Sequence, residues 1–113
     1  MAEKKRESLE AGSVANLASL VDIAPEAIVS RVLARTSGGN VTLFAFAAGQ
    51  ELSEHTAPFD ALVQVVNGEI EVSIGGRPMV VGPNELVLMP ADVPHALKAE
   101  TDSRMVLTML REQ

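Results

Sequence analysis

The chain has 113 residues, 47% of them apolar, and nine basic against fifteen acidic side chains give a formal net charge of −6. That length suits one domain, and that apolar fraction supports a packed core, which excludes a disordered chain. The acidic balance repels phosphate backbones and argues against nucleic acid as a partner, and the lack of Cys excludes disulfides, a thiolate nucleophile and Cys-bound zinc.

The N-terminus, MAEKKRESLE, lacks an apolar h-region and is not a signal peptide. No apolar run approaches the length of a membrane span, so a soluble, cytoplasmic protein with no membrane partner is expected. Residues 1–12 read as a flexible tail, and 13–113 as one domain. The cluster Lys4-Lys5-Arg6 is flanked by Glu3, Glu7 and Glu10 and reads as part of that solvated tail. Val14, Leu17, Leu20 and Val21 suit a short amphipathic helix over 13–21 with Ser13 as N-cap, or else an extra strand. Pro25 ends it.

Beyond Pro25 the pattern changes to short β-type runs separated by turn residues. The expected strands are 28–35, 41–46, 52–55, 61–66, 69–74, 77–81, 86–89, 95–99 and 104–110. Asn67-Gly68 predicts a tight type I′ hairpin, and Gly75-Gly76 predicts the next one. In EIEVSI the alternation sends Glu69 and Glu71 to solvent and Ile70, Val72 and Ile74 to the core. Many short strands with almost no helix predict an all-β sandwich or barrel. Periodicity leaves a jelly roll, an immunoglobulin-like sandwich and a lipocalin-like barrel open.

Two segments narrow the choice. In GQELSEHTAPFDALVQVVNG, Gly49 is followed by five residues and then His55; Thr56 separates His55 from Ala57, three residues lead to Ala61, and six more lead to Gly68. In PADVPH, Pro90 precedes Asp92 and His95. These spacings resemble the two motifs of the cupins, G-x5-H-x-H-x3-E-x6-G and G-x5-P-x-G-x2-H-x3-N. The resemblance covers roughly residues 28–110. It departs from the pattern at Ala57, Ala61, Asp92 and Ala99, and Gly82 lies two residues too far upstream.

The resemblance implies a double-stranded β-helix, the jelly-roll barrel of the cupins, with a small-molecule ligand in the barrel cavity. It makes His55 and His95 the candidate metal ligands. Three imidazoles and a carboxylate would hold Zn, Ni, Fe, Mn or Cu with open positions. Ala57 and Ala61 remove one imidazole and the carboxylate, so one divalent ion is expected to be weakly held, or absent. Asp60, one residue before the usual Glu, reaches the cavity only if a bulge turns it inward. Gln64 interrupts the apolar run ALVQVV and could offer an oxygen ligand or a hydrogen bond, or could lie on the less buried face. Glu54 neighbours His55 and should point outward. Met79, Met89, Met105 and Met109 read as core, with an adaptable pocket lining as the alternative. Arg31 and Arg35 share a strand face with Val29 and Leu33 and suit an anionic ligand, a rim or an interface. A homodimer is expected, with the segment 28–33 buried in a two-fold contact.

Function then divides into a ligand-binding or enzymatic cupin and a non-catalytic sensor or interaction module with a degenerate site. If the cavity is catalytic, metal-assisted oxidation, isomerisation or lyase chemistry on a small polar metabolite is the implied range. Residues 1–27 are too short and too acidic for a DNA-binding helix-turn-helix, which weighs against a transcription regulator.

Overall fold

The computed structural model describes residues 9–111. Nine strands follow a short 3₁₀ turn: β1 (Ile28–Thr36), β2 (Gly39–Phe46), β3 (Glu51–His55), β4 (Asp60–Asn67), β5 (Ile70–Ile74), β6 (Arg77–Val81), β7 (Leu86–Met89), β8 (His95–Ala99) and β9 (Ser103–Leu110). They form a five-stranded sheet in the order β1-β2-β9-β4-β7 and a four-stranded sheet in the order β3-β8-β5-β6. This is the all-β jelly-roll that the strand spacing and the motifs predict.

Alternation fills the space between the sheets. Phe46, Val63, Val65, Ile70, Val72 and Met105 are fully buried in one cluster drawn from both sheets. Each contributes on the order of 1.5–3 kcal/mol of burial. Ile70 and Val72 point inward as expected, while Ile74 is half-buried at the strand end.

A second cluster lies on the outer face of the five-stranded sheet. Leu33, Leu43 and Ala45 pack there with Val21, supported by Leu17, Leu20, Ile23 and Val29. The N-terminal segment therefore covers β1 from outside. Arg104 donates from Nε to the Val21 carbonyl at 2.9 Å, and Arg31 from Nη1 to the Leu20 carbonyl at 3.4 Å. Leu33 is buried in this cluster, and Val29 packs against it half-buried. Arg35 is exposed.

Two local expectations are corrected. The helix over 13–21 shrinks to a 3₁₀ turn, Leu17–Ser19, capped by Asn16, whose side chain accepts from the Ala18 N–H. Ser13 instead donates to the Glu10 carbonyl. The segment packs on a sheet, and its few apolar residues reach that surface without a full helix. Residues 1–8 of the expected tail lie outside the described residues; Leu9 donates its N–H to the Leu33 carbonyl at 2.9 Å.

The second correction concerns Asn67-Gly68. β4 and β5 do not pair; they belong to different sheets. Asn67 is the last residue of β4, and only Gly68 takes a positive φ, +80°. A type I′ turn needs positive φ at both central residues. Here the chain crosses between sheets, and a Cβ at Gly68 would collide with the Ser103 hydroxyl and the Asp102 carbonyl. Gly75 and Gly76 do form the expected tight hairpin, with φ of +58° and +82° and Ile74 opposite Arg77.

Candidate functional site

His55 ends β3 and His95 begins β8, and the two residues are direct antiparallel partners. β3 carries one residue more than β8 between the pairs Leu52↔Leu97 and His55↔His95. Strict alternation would place Leu52 and His55 on opposite faces. The extra residue re-aims the strand end, so both line one internal cavity of about 60 Å³. Glu54 stays exposed.

All four motif positions, 55, 57, 61 and 95, line that cavity. Two are imidazoles and two are alanines. Ala61 is flanked in register by Met89 on β7 and Met109 on β9. Met89, Met105 and Met109 complete the wall with Leu52, Leu97 and Leu107. Thus three of the four methionines read as core also line the cavity; Met79 packs against the core cluster. Leu52, Phe59, Leu97 and Leu107 are lining residues that the motifs do not single out. Phe59 falls in the three-residue gap of the first motif, where neither the motif nor the strand alternation marks it.

The two rings meet edge to face, with centroids 4.4 Å apart and an interplanar angle of 74°. Their Nε2 atoms are 3.1 Å apart. His55 Nδ1 lies 2.7 Å from the Ser53 carbonyl, and His95 Nδ1 lies 3.2 Å from the Val93 carbonyl. A carbonyl only accepts, so each Nδ1 carries the hydrogen. Each Nε2 then carries a lone pair when the rings are neutral, and the two lone pairs are inclined toward the space beside the N···N line. One shared proton or one metal ion would satisfy both.

His95 is 5% exposed, whereas His55 sits exposed at the rim. Loss of hydration holds the His95 imidazole below its ordinary pKa, and the nearby His55 adds to this; the hydrogen bond to Val93 opposes it. Burial thus keeps the inner ring neutral and able to ligate.

Asp60 and Gln64 do not join the histidines. Asp60 and Ala61 stand in unbroken register against Leu110 and Met109, so no bulge turns Asp60 inward. Its Oδ1 accepts the Ala91 N–H at 2.8 Å. Gln64 is exposed between inward Val63 and Val65. Both placements follow from alternation along β4: the buried positions are 61, 63 and 65. Among the described residues no group of three His, Cys, Asp or Glu side chains is placed to hold a metal. The two imidazoles fit half of a metal shell. Two nitrogens about 2.0–2.1 Å from one ion, at angles between square and tetrahedral, stand roughly 2.9–3.4 Å apart, which brackets the observed 3.1 Å. A bound ion would supply Lewis acidity at the barrel mouth.

A nine-stranded jelly roll with converging imidazoles at one end of an apolar interior defines a cupin-type barrel. The family model described as "Cupin domain" matches residues 42–111, 70 of 113 residues, and the chain belongs to the cupin family. It is similar to a conserved protein of unknown function from Streptococcus pyogenes, with 30% identity over 93% of this chain and 92% of that one and a TM-score of 0.88. It is also similar to a cupin 2 conserved barrel domain protein from Leptotrichia buccalis, with 37% identity and a TM-score of 0.82. There it covers 85% of this chain but 47% of the other, so the chain spans about half of that protein. A cupin superfamily protein from Desulfitobacterium hafniense matches at 25% identity over 92% and 95% of the two chains, with a TM-score of 0.86. A comparison with proteins of curated function finds no match. Among the described residues no helix is long and apolar enough to cross a membrane.

Proposed function

We propose that the barrel mouth is a small-molecule binding site organised by the His55–His95 pair, with a weakly held divalent transition metal as its cofactor. One observation carries this reading: two Nε2 lone pairs converge at 3.1 Å at an otherwise apolar cavity, each ring fixed by a carbonyl on its far nitrogen. Carbonyl acceptors on the far nitrogen orient metal-binding imidazoles in this way. Nitrogen donors favour Zn, Ni or Cu over Mg or Ca. Affinity is modest because Ala57 and Ala61 supply no donor, so water or the ligand completes the shell.

The test is titration of the metal-free protein with Zn, Ni and Cu beside His55→Ala and His95→Ala. The wild type is expected to bind one ion, more weakly as pH falls, because protonated imidazole cannot ligate. Each single variant is expected to lose binding. Equal binding by all three proteins removes the pair as the site.

A second reading is a non-catalytic sensor or interaction module. It is favoured by the lack of any three-donor cluster among the described residues. No binding by any of the three proteins selects it, and the histidines then act as direct ligand contacts.

A further inference from the structure

The inner cavity alone is small for a metabolite. Its volume of about 60 Å³ falls well below the roughly 300–1,000 Å³ of small-molecule sites. A second cavity of about 560 Å³ adjoins it, lined by Pro58, Phe59, Asp60, Asp92 and Arg111 among others. Phe59 belongs to both linings and is the residue the two cavities share. The guanidinium carbon of Arg111 lies 5.4 Å from the centroid of the Phe59 ring, within cation–π range. A cation on the outer cavity therefore lies beside the residue that the two cavities share.

The outer chamber holds charge of both signs. Arg111 is its cation, and Asp60 and Asp92 are its carboxylates. Asp60 is oriented through Oδ1 by the Ala91 N–H. Asp92 sits at φ +66°, with its N–H donated to the Ala57 carbonyl at 2.8 Å. Ala57 itself lines the inner cavity, so this bond ties the loop of Asp92 to the inner wall. A lone anion entering the outer chamber would meet two carboxylates, and a lone cation would meet the guanidinium. A zwitterion can set each of its charges against an opposite one.

We infer that the two chambers form one ligand site for a small apolar zwitterion, an α-amino carboxylate. Its carboxylate meets Arg111, its ammonium meets Asp60 and Asp92, and its tail passes Phe59 into the methionine-lined inner chamber. The inference rests on reading the barrel mouth as a ligand site.

Three probes with one shared alkyl tail test it: norleucine carries both charges, hexanoate lacks the ammonium and pentylamine lacks the carboxylate. Binding is measured by calorimetry on the wild type, Arg111→Gln and Asp92→Asn, with ¹³C-methyl signals of Met105 and Met109 reporting where the tail sits. Norleucine is expected to bind about tenfold or more tighter than either single-charge probe and to shift both methyl signals. Arg111→Gln should weaken norleucine by a similar factor and leave pentylamine no weaker. Asp92→Asn should weaken norleucine and leave hexanoate no weaker. The inference is overturned if hexanoate or pentylamine matches norleucine, if Arg111→Gln leaves norleucine unchanged, or if norleucine does not bind. Methyl shifts with hexanoate alone would overturn it while leaving the mouth a ligand site. Silence from every probe, together with a silent metal titration, would remove the ligand-site reading as well.

Discussion

Gly68→Ala tests whether the crossing from β4 to β5 is held by close approach or only by backbone freedom. At φ +80° any L side chain is strained, at a cost of about 1–2 kcal/mol. The added Cβ would also overlap the Ser103 hydroxyl and the Asp102 carbonyl and come within 2.7 Å of the Ser103 Cα. Two of these three atoms are backbone at the start of β9, so the crowding is not relieved by a rotamer change. Overpacking of this kind adds about 1–3 kcal/mol, for a total of about 2–5 kcal/mol centred about 2 kcal/mol above the backbone share. Gly76→Ala is the matched control: its φ is +82°, and no heavy atom lies within 4 Å of the new Cβ. It should lose only about 1–2 kcal/mol, the backbone share. In a domain of this size 1 kcal/mol moves Tm by roughly 4 °C. Thermal and urea unfolding followed by circular dichroism should therefore separate the two variants by about 8 °C. Equal losses would refute the steric argument. The crossing matters to the site because it sets β5 beside β8, the strand that carries His95.

The pH dependence of stability has a fixed sign at His95. Burial and His55 lower its pKa in the folded state, so between the usual 6.5 and that lowered value the unfolded chain binds more protons. Stability therefore falls as pH drops below about 6.5, by at most roughly 1.4 kcal/mol per pH unit from this group. Urea midpoints of His95→Gln should show a shallower decline than wild type between pH 7.5 and 5.5, and parallel curves would contradict the burial argument. Ile70→Ala, at a position 0% exposed, is expected to cost about 2–5 kcal/mol. Gln64→Ala, on the outer face, should stay within about 0.5 kcal/mol and leave ligand binding unchanged; both are read from urea unfolding. We also propose a homodimer through edge strand β7, where Leu86 and Leu88 are 59% and 50% exposed. Sedimentation should give a dimer for wild type and a monomer for Leu88→Glu, and a wild-type monomer at micromolar concentration would end that proposal.

The elements legible in the sequence were those set by local chemistry. EIEVSI buried Ile70 and Val72 because successive side chains on a strand point to opposite faces. Gly75-Gly76 turned tightly because both residues tolerate positive φ. The histidine pair was legible because motif spacing reflects positions on neighbouring strands, and all four motif positions do meet at one cavity. Asp60 and Gln64 face away from the histidines because β4 is unbroken at its start. Asn67-Gly68 misleads because a dipeptide carries turn propensity but not the identity of the strand that pairs next. That choice is made by long-range pairing, here β4 with β7 and β9, and β5 with β6 and β8. The extra residue on β3 was equally invisible, since a register shift exists only relative to a partner strand. The sequence thus determined strand positions, buried faces and the two imidazoles by itself. Tertiary structure alone decided that Leu52 and His55 line one cavity, that Phe59 lines two and that Arg111 lies beside its ring, because each is a contact between residues whose proximity only folding creates.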